Sequence, residues 1–115
     1  MYMRLIRFAT LLLALAFALP AGNVSSGSNT CPSSGTKRIA AASIRSITFT
    51  VQAPSGNMGT VSIGGSAASA TTAVTISGGD AFTFPPAANS AQYDLTQIYF
   101  ACSNSADSIV YTYLQ

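Results

Sequence analysis

The chain has 115 residues, of which 49% are hydrophobic and only 7% are charged, and it contains neither His nor Trp. This length allows one domain of ordinary size, and the charged fraction is far below the roughly 25% of typical soluble domains. The formal net charge is +2. Because no basic residue follows Arg45, we expect no nucleic-acid partner, which would require a clustered basic surface. Without His or Glu, and with three scattered Asp, the chain lacks the usual groups for acid–base catalysis, so we predict that it is not an enzyme.

Residues 1–21 have the layout of a secretory signal. Arg4 and Arg7 precede a largely apolar run over residues 8–18, and small residues follow. This order is typical of an export leader, with Ala18 as the favoured cleavage position, and the Leu and Ala content favours a helix. The run is shorter than the roughly 20 apolar residues that span a bilayer. Two alternatives stay open: an uncleaved helix that anchors the chain to a membrane or packs on a partner, and a misassigned start codon.

Residues 22–36 are rich in Ser, Gly, Asn and Thr, and Val24 is their only sizeable apolar side chain. Such a segment cannot bury enough apolar surface to order itself. We therefore predict a flexible linker between the leader and a domain over residues 37–115.

The two cysteines are Cys31, in the predicted linker, and Cys102, near the end of a late strand. Two thiols without His are too few for a zinc site, so we expect neither a metal nor a cofactor. A disulfide between them would close a loop of about 70 residues and contribute about 4 kcal/mol. The alternative is that Cys102 is a small buried side chain and Cys31 is exposed. The sequence leaves both readings open, because pairing depends on the Cα separation.

Alternation of apolar and polar residues dominates the rest of the chain and predicts β-strands. The predicted strands are SITFTVQ (46–52), GTVSI (59–63), AVTIS (73–77), AFTF (81–84), TQIYFAC (96–102) and IVYTYL (109–114). Residues 78–80, Gly-Gly-Asp, predict a tight hairpin between the third and fourth of these strands. Six short strands joined by Gly, Pro, Asn and Ser turns predict an all-β fold, a small antiparallel β-sandwich of jelly-roll type.

The predicted core follows from the apolar side of each strand. It consists of Ile47, Phe49, Val51, Val61, Ile63, Val74, Ile76, Phe82, Phe84, Leu95, Ile98, Phe100, Val110 and Leu114. This core is thin for its domain, so a disulfide or neighbouring subunits would add stability.

Four tyrosines are the candidate interface residues: Tyr93, Tyr99, Tyr111 and Tyr113. Tyr is enriched at the centres of protein interfaces. Tyr111 and Tyr113 should share one face of the last strand, opposite Val110 and Leu114. The alternative is that the tyrosines line the rim of the domain with hydrated hydroxyls. The three Asp residues lie in separate loops, which favours roles in turns over a calcium site.

Residues 37–115 contain an N-x-G turn at Asn57, a G-x-V-x-I-G strand from Gly59 and a G-D turn at Gly79. In this order the motifs resemble small virion structural proteins of tailed phages. In that family an opening strand leads through an N-x-G turn into a G-x-V-x-(I/V)-G strand. A G-(D/E) turn, a D-L-(S/T)-x-I-Y element and a closing (V/I)-x-Y-x-Y/L strand follow. The matching positions are Asn57, Gly59, Val61, Ile63, Gly64, Gly79, Asp80, Asp94, Leu95, Thr96, Ile98, Tyr99, Val110, Tyr111 and Leu114. The resemblance covers residues 37–115, whereas the leader and the two cysteines depart from the family's pattern.

The resemblance implies a non-enzymatic virion protein, a capsid decoration or an auxiliary head or tail component. Its partners would be other virion proteins, with further copies of itself in an assembly. The leader and the cysteines support the alternative: an exported or membrane-tethered binding module at the cell surface, held through residues 1–21.

Overall fold

The computed structural model of the protein describes residues 23–86, 88 and 91–115. The predicted leader, residues 1–21, lies outside the described residues. The strands are β1 (Val24–Thr30), β2 (Lys37–Arg38), β3 (Arg45–Ser46), β4 (Thr48–Gln52), β5 (Thr60–Gly64), β6 (Val74–Ser77), β7 (Ala81–Phe84), β8 (Tyr93–Asp94), β9 (Tyr99–Cys102) and β10 (Ser108–Leu114). A 3-10 helix, Leu95–Gln97, separates β8 from β9. The predicted all-β class is confirmed, and each of the six predicted strands overlaps an observed one.

The described strands form three antiparallel sheets. Sheet A has the order β1-β10-β4-β7, sheet B has the order β2-β9-β5-β6, and β3 pairs with β8. Among these strands, β5 and β6 are the only pair that is both consecutive in the chain and hydrogen-bonded. Every other connection leads from one sheet to another, so most hydrogen-bonded neighbours in a sheet come from distant parts of the sequence.

Both four-stranded sheets contribute to a single hydrophobic core. Phe49 and Val51 come from sheet A, whereas Val61, Ile63 and Phe100 come from sheet B, and all five side chains are fully buried. Alternation along each strand produces this arrangement, because it directs every second side chain to the same face.

Three residues of the predicted core are exposed, so that part of the prediction is wrong. Ile47, Val74 and Val110 are 39%, 40% and 36% exposed. Ile47 lies in the break between β3 and β4, where Ser46 takes the buried position. In β10 the buried aliphatic residue is Ile109 and not Val110. The inner face of β10 is therefore the face opposite to the one that the sequence predicts.

The predicted flexible linker is also wrong, because β1 lies within it. All seven residues of β1 are in register with β10, from Val24 opposite Leu114 to Thr30 opposite Ser108. The side chains of β1 bury little, so backbone pairing with β10 keeps this segment in place.

The hairpin predicted at residues 78–80 is a turn between two sheets. β6 pairs with β5 in sheet B, whereas β7 pairs with β4 in sheet A. The Asp80 N–H donates to the Ser77 carbonyl at 2.9 Å, and Gly79 has a φ of 91°. A positive φ at the third residue of a four-residue turn is typical of type II and favours glycine.

Candidate functional site

The two cysteines form a disulfide that links the two large sheets. Cys31 directly follows β1 of sheet A, and Cys102 is the last residue of β9 in sheet B. Their Cα atoms are 5.8 Å apart, within the range that a disulfide spans. The Cys31 N–H also donates to the Asp107 carbonyl at 3.0 Å. The structure therefore pairs the thiols whose pairing the sequence leaves open.

A buried carboxylate lies next to this disulfide. Asp107 is 5% exposed, and its two carboxylate oxygens accept hydrogen bonds from the Met58 N–H at 2.9 Å and the Gly59 N–H at 2.8 Å. Each oxygen has its own backbone donor, so the buried charge is compensated by two charge-assisted bonds. Asp107 thereby ties the loop before β5 to the start of β10.

Asn57 completes this connection from the other side. Its Nδ2 donates to the Ser108 carbonyl at 2.8 Å, and its Oδ1 accepts from the Ser108 N–H at 3.2 Å. The Asn57 amide thus forms two hydrogen bonds with the Ser108 backbone, as a residue of a neighbouring antiparallel strand would. We call Asn57 and Asp107, with these backbone partners, the polar clamp. The sequence predicts a local turn role for Asp107 and gives no sign of the clamp, because the partners are about fifty positions away.

Tyr93 belongs to an aromatic cluster at the other end of sheet A. The cluster consists of Phe49, Phe82, Phe84 and Tyr93. The rings of Phe49 and Phe84 stack with centroids 4.2 Å apart, and Tyr93 meets them edge-on at 5.3 and 5.7 Å. The Tyr93 hydroxyl donates to the Pro85 carbonyl at 2.8 Å. This tyrosine is half-buried and packs against the core.

Tyr111 and Tyr113 share one face of β10, but it is the inner face. Tyr111 lies opposite the buried Val51, and Tyr113 lies opposite the buried Phe49. The two rings stack with centroids 6.1 Å apart and remain half-buried. On the β1 side, Tyr111 faces Gly27, where an added Cβ would lie 2.5 Å from the tyrosine Cζ. The ring therefore covers the glycine.

Tyr99 lies elsewhere, on the face of β9 opposite to the buried Phe100. The Arg38 Nε donates to its hydroxyl at 3.1 Å, and the guanidinium carbon lies 5.9 Å from the ring centroid. This distance allows a cation–π contact. The four candidate tyrosines thus occupy three separate places, and only Tyr111 and Tyr113 stack on each other. Their role at an interface stays a prediction.

The other two Asp side chains bond locally. Asp80 accepts from the Ser77 N–H at 3.1 Å. Asp94 caps the 3-10 helix and accepts from both the hydroxyl of Thr96, at 2.7 Å, and its N–H, at 3.0 Å. These bonds to Thr96, with smaller contributions from Arg45 and Arg38, hold the pKa of Asp94 below its ordinary value.

Residues 23–86, 88 and 91–115 contain neither a cluster of metal ligands nor a membrane-spanning helix. No group of three or more His, Cys, Asp or Glu side chains in this part of the chain could hold a metal ion. The same residues contain no helix that is long and apolar enough to span a membrane. Comparison with known proteins found no match to this chain among family models, curated proteins or solved structures.

Proposed function

We propose that this chain is a non-enzymatic β-domain that is exported to an oxidising compartment and acts there through contacts with other proteins. The disulfide between Cys31 and Cys102 carries this proposal. Structural disulfides form and persist in secreted and surface proteins, whereas reducing systems in the cytosol keep thiols free. The signal-like sequence of residues 1–21 supports the same location.

The position of the disulfide supports a structural role for the bond. It joins the end of β1 to the end of β9, so one covalent link holds the two four-stranded sheets together. Domains of this size have thin cores and often depend on such a link. A chain whose stability depends on this bond would function poorly in a reducing cytosol.

We further propose that sheets A and B pack face to face as a β-sandwich of jelly-roll type. The support is that buried residues of both sheets belong to one core, such as Val51 of β4 and Ile63 of β5. The repeated passage of the chain between the sheets also suits a sandwich with Greek-key connections.

The chemistry of the polar residues supports a binding module over an enzyme. Asp80, Asp94 and Asp107 all accept hydrogen bonds from backbone N–H groups of the fold itself. Carboxylates used in this way hold loops and turns. A general base would instead need to reach a substrate proton.

Expression of the full chain in a bacterium tests export. We expect the chain in the periplasm, with an N-terminus between Leu19 and Gly22 and with both thiols protected from alkylation. Leu13→Arg, which interrupts the apolar run, should retain the chain in the cytosol with both thiols reactive. A wild-type chain that stays in the cytosol with intact Met1 and free thiols would refute the proposal.

The order of turn and strand motifs favours a second proposal, a structural protein of a phage particle. The matching residues include Asn57 and Gly59 in the polar clamp and Asp94 at the cap of the 3-10 helix. These residues stabilise the fold, so the resemblance in these motifs supports a similar architecture. Mass spectrometry of purified particles tests this proposal, which fails if intact virions lack the protein.

A further inference from the structure

The four outer strands of the two large sheets differ in how well they are protected against pairing. In sheet B, β2 has two residues, both basic, and β6 has four. In sheet A, β7 has four residues and is followed by Pro85 and Pro86. β1 is different, because it has seven residues with no charge and no proline. Short length, charge and proline are the usual protections of a sheet edge, and β1 has none of them.

The backbone of β1 presents free hydrogen-bonding groups on this edge. Asn23 exchanges hydrogen bonds with Gln115, and the Cys31 N–H donates to Asp107. In an antiparallel pair such bonded positions alternate, so the odd-numbered residues of β1 face β10. The even-numbered residues, Val24, Ser26, Ser28 and Thr30, direct their N–H and carbonyl groups away from it. No described strand pairs with this side of β1.

One end of this open edge is already occupied. The Lys37 ammonium donates to the Thr30 carbonyl at 3.1 Å and approaches its hydroxyl at 3.3 Å. Three residues therefore keep both backbone groups without a partner among the described residues: Val24, Ser26 and Ser28. These three positions are symmetric about Ser26. A second, antiparallel β1 can therefore pair with all three of them in a single register. Ser26 would face Ser26, and Val24 would face Ser28, with six backbone hydrogen bonds.

We propose that the outer edge of β1 binds the same edge of a second copy of this chain, with Ser26 of the two protomers opposite each other on a two-fold axis. An isologous contact of this kind uses one surface twice and closes as a dimer. The two uncharged strands do not repel each other, and pairing joins the two A sheets into one continuous eight-stranded sheet.

The half-buried pair of Tyr111 and Tyr113 supports a second copy of this chain as the partner of β1. The Tyr111 ring reaches over Gly27, in the outermost strand. Tyr113 faces Ser25, which is too small to cover it. A second copy would bring its own β1, with Ser25 and Gly27 on the same face, to about one strand spacing, about 4.8 Å, from β1. The Tyr111 ring, which reaches over Gly27, would then be bordered on its outer side by the other protomer. The inference is independent of export, because it rests on the edge of sheet A alone.

Native mass spectrometry and cross-linking of the full chain, as recovered from expressing cells, test the proposal. We expect a species of twice the monomer mass for the wild type. Ser26→Cys should yield a disulfide-linked dimer, because the two positions face each other. Thr112→Cys is the matched control: it lies on the same face, directly opposite Ser26 but one strand inward. It should cross-link about tenfold less, since it lies away from the axis.

Variants that alter the edge without disturbing the pairing of β1 with β10 complete the test. Ser26→Pro removes an N–H that points outward, which an edge strand tolerates, and it should leave a folded monomer. Ser26→Lys retains the N–H but places two ammonium groups together, so its dimer should be about tenfold weaker and partly restored by salt. Ser26→Thr should behave as wild type. A monomeric wild type, or a dimer that neither Ser26→Pro nor Ser26→Lys weakens, would overturn the proposal.

Discussion

The two ends of sheet A are held by different kinds of contact. At one end, the disulfide joins Cys31 to Cys102 at the end of β9, and the polar clamp joins the start of β10 to the loop at Asn57. At the other end, the aromatic cluster around Phe49 packs ring against ring. The first end depends on a redox-sensitive bond and on well-directed hydrogen bonds. The second depends on buried area and tolerates small shifts.

This difference predicts how the domain responds to its surroundings. Reduction acts on the polar end and leaves the aromatic contacts intact. We therefore expect the strands next to Cys31 and Cys102 to open first when the disulfide is lost, while β4 and β7 stay paired near Phe84. The substitutions below separate the two ends, from the largest expected effect to the smallest.

Removal of the disulfide should have the largest effect. The double variant Cys31→Ser/Cys102→Ser should lose about 4 kcal/mol of unfolding free energy, because the closed loop no longer restricts the unfolded chain. Urea denaturation of the variant and of wild type measures this loss. Dithiothreitol should lower wild type to the level of the variant and leave the variant unchanged. Equal stability with and without the bond would contradict the comparison of the two ends.

Removal of the buried carboxylate should come next. Asp107→Ala leaves the N–H groups of Met58 and Gly59 without their acceptor, at a cost of about 2–3 kcal/mol. Asp80→Ala is the control, because the exposed Asp80 accepts a single bond and should lose less than about 1 kcal/mol. Thermal melts compare the two variants. Equal losses would mean that the polar clamp does not anchor the loop.

Gly79→Val tests the turn between the sheets at the same end. The φ of 91° at Gly79 is strained for a β-branched residue by about 1–2 kcal/mol. Gly65→Val is the control, because a Cβ at this exposed glycine meets nothing within 4 Å and its φ is not in the left-handed region. Asp80→Asn should be nearly silent, since the amide oxygen can still accept from Ser77. If Gly79→Val melts within a degree of wild type, the turn assignment fails.

The alternation in the sequence predicted most of the strands but not always their inner face. In IVYTYL, both faces contain large side chains, so local pattern alone could not decide between Val110 and Ile109. Pairing with β4 determines the inner face of β10, because positions 111 and 113 lie opposite the buried Val51 and Phe49. The same limit applies to residues 78–80, where the local pattern predicts the turn but not that its two strands belong to different sheets.

The contacts that the sequence did not reveal are those that join distant segments. β1 has no apolar alternation, and its order comes from pairing with β10, more than seventy positions later. The polar clamp likewise joins Asn57 to Ser108. Local propensity carries no signal for such pairs. The two cysteines were the one long-range pair visible in the sequence, because their chemistry limits what they can do.

Tyr93→Phe tests the aromatic end with a small change. The variant retains the ring contacts and removes the hydroxyl that donates to Pro85, so it should lose about 1 kcal/mol. Tyr99→Phe is the control on the outer face of sheet B and should change stability by less than about 0.5 kcal/mol. Both variants should respond to reduction as wild type does. A Tyr93→Phe loss as large as that of Asp107→Ala would show that polar contacts dominate at both ends.

The smallest effect should come from Asp94, which lies next to Tyr93 at the aromatic end and titrates with acid. The hydroxyl and N–H of Thr96 bond its carboxylate and lower its pKa in the folded state. A folded pKa below the unfolded one means that these bonds stabilise the fold above the unfolded pKa. Their contribution is lost as pH falls through the folded pKa.

NMR titration of the Asp94 carboxyl should therefore show a pKa below its ordinary value in wild type. Thr96→Val, which removes the largest cause, should move that pKa upward, and Asp94→Asn should show a shallower loss of stability in acid than wild type. A wild-type Asp94 that titrates at its ordinary value would show that the cap on the 3-10 helix is not formed in solution.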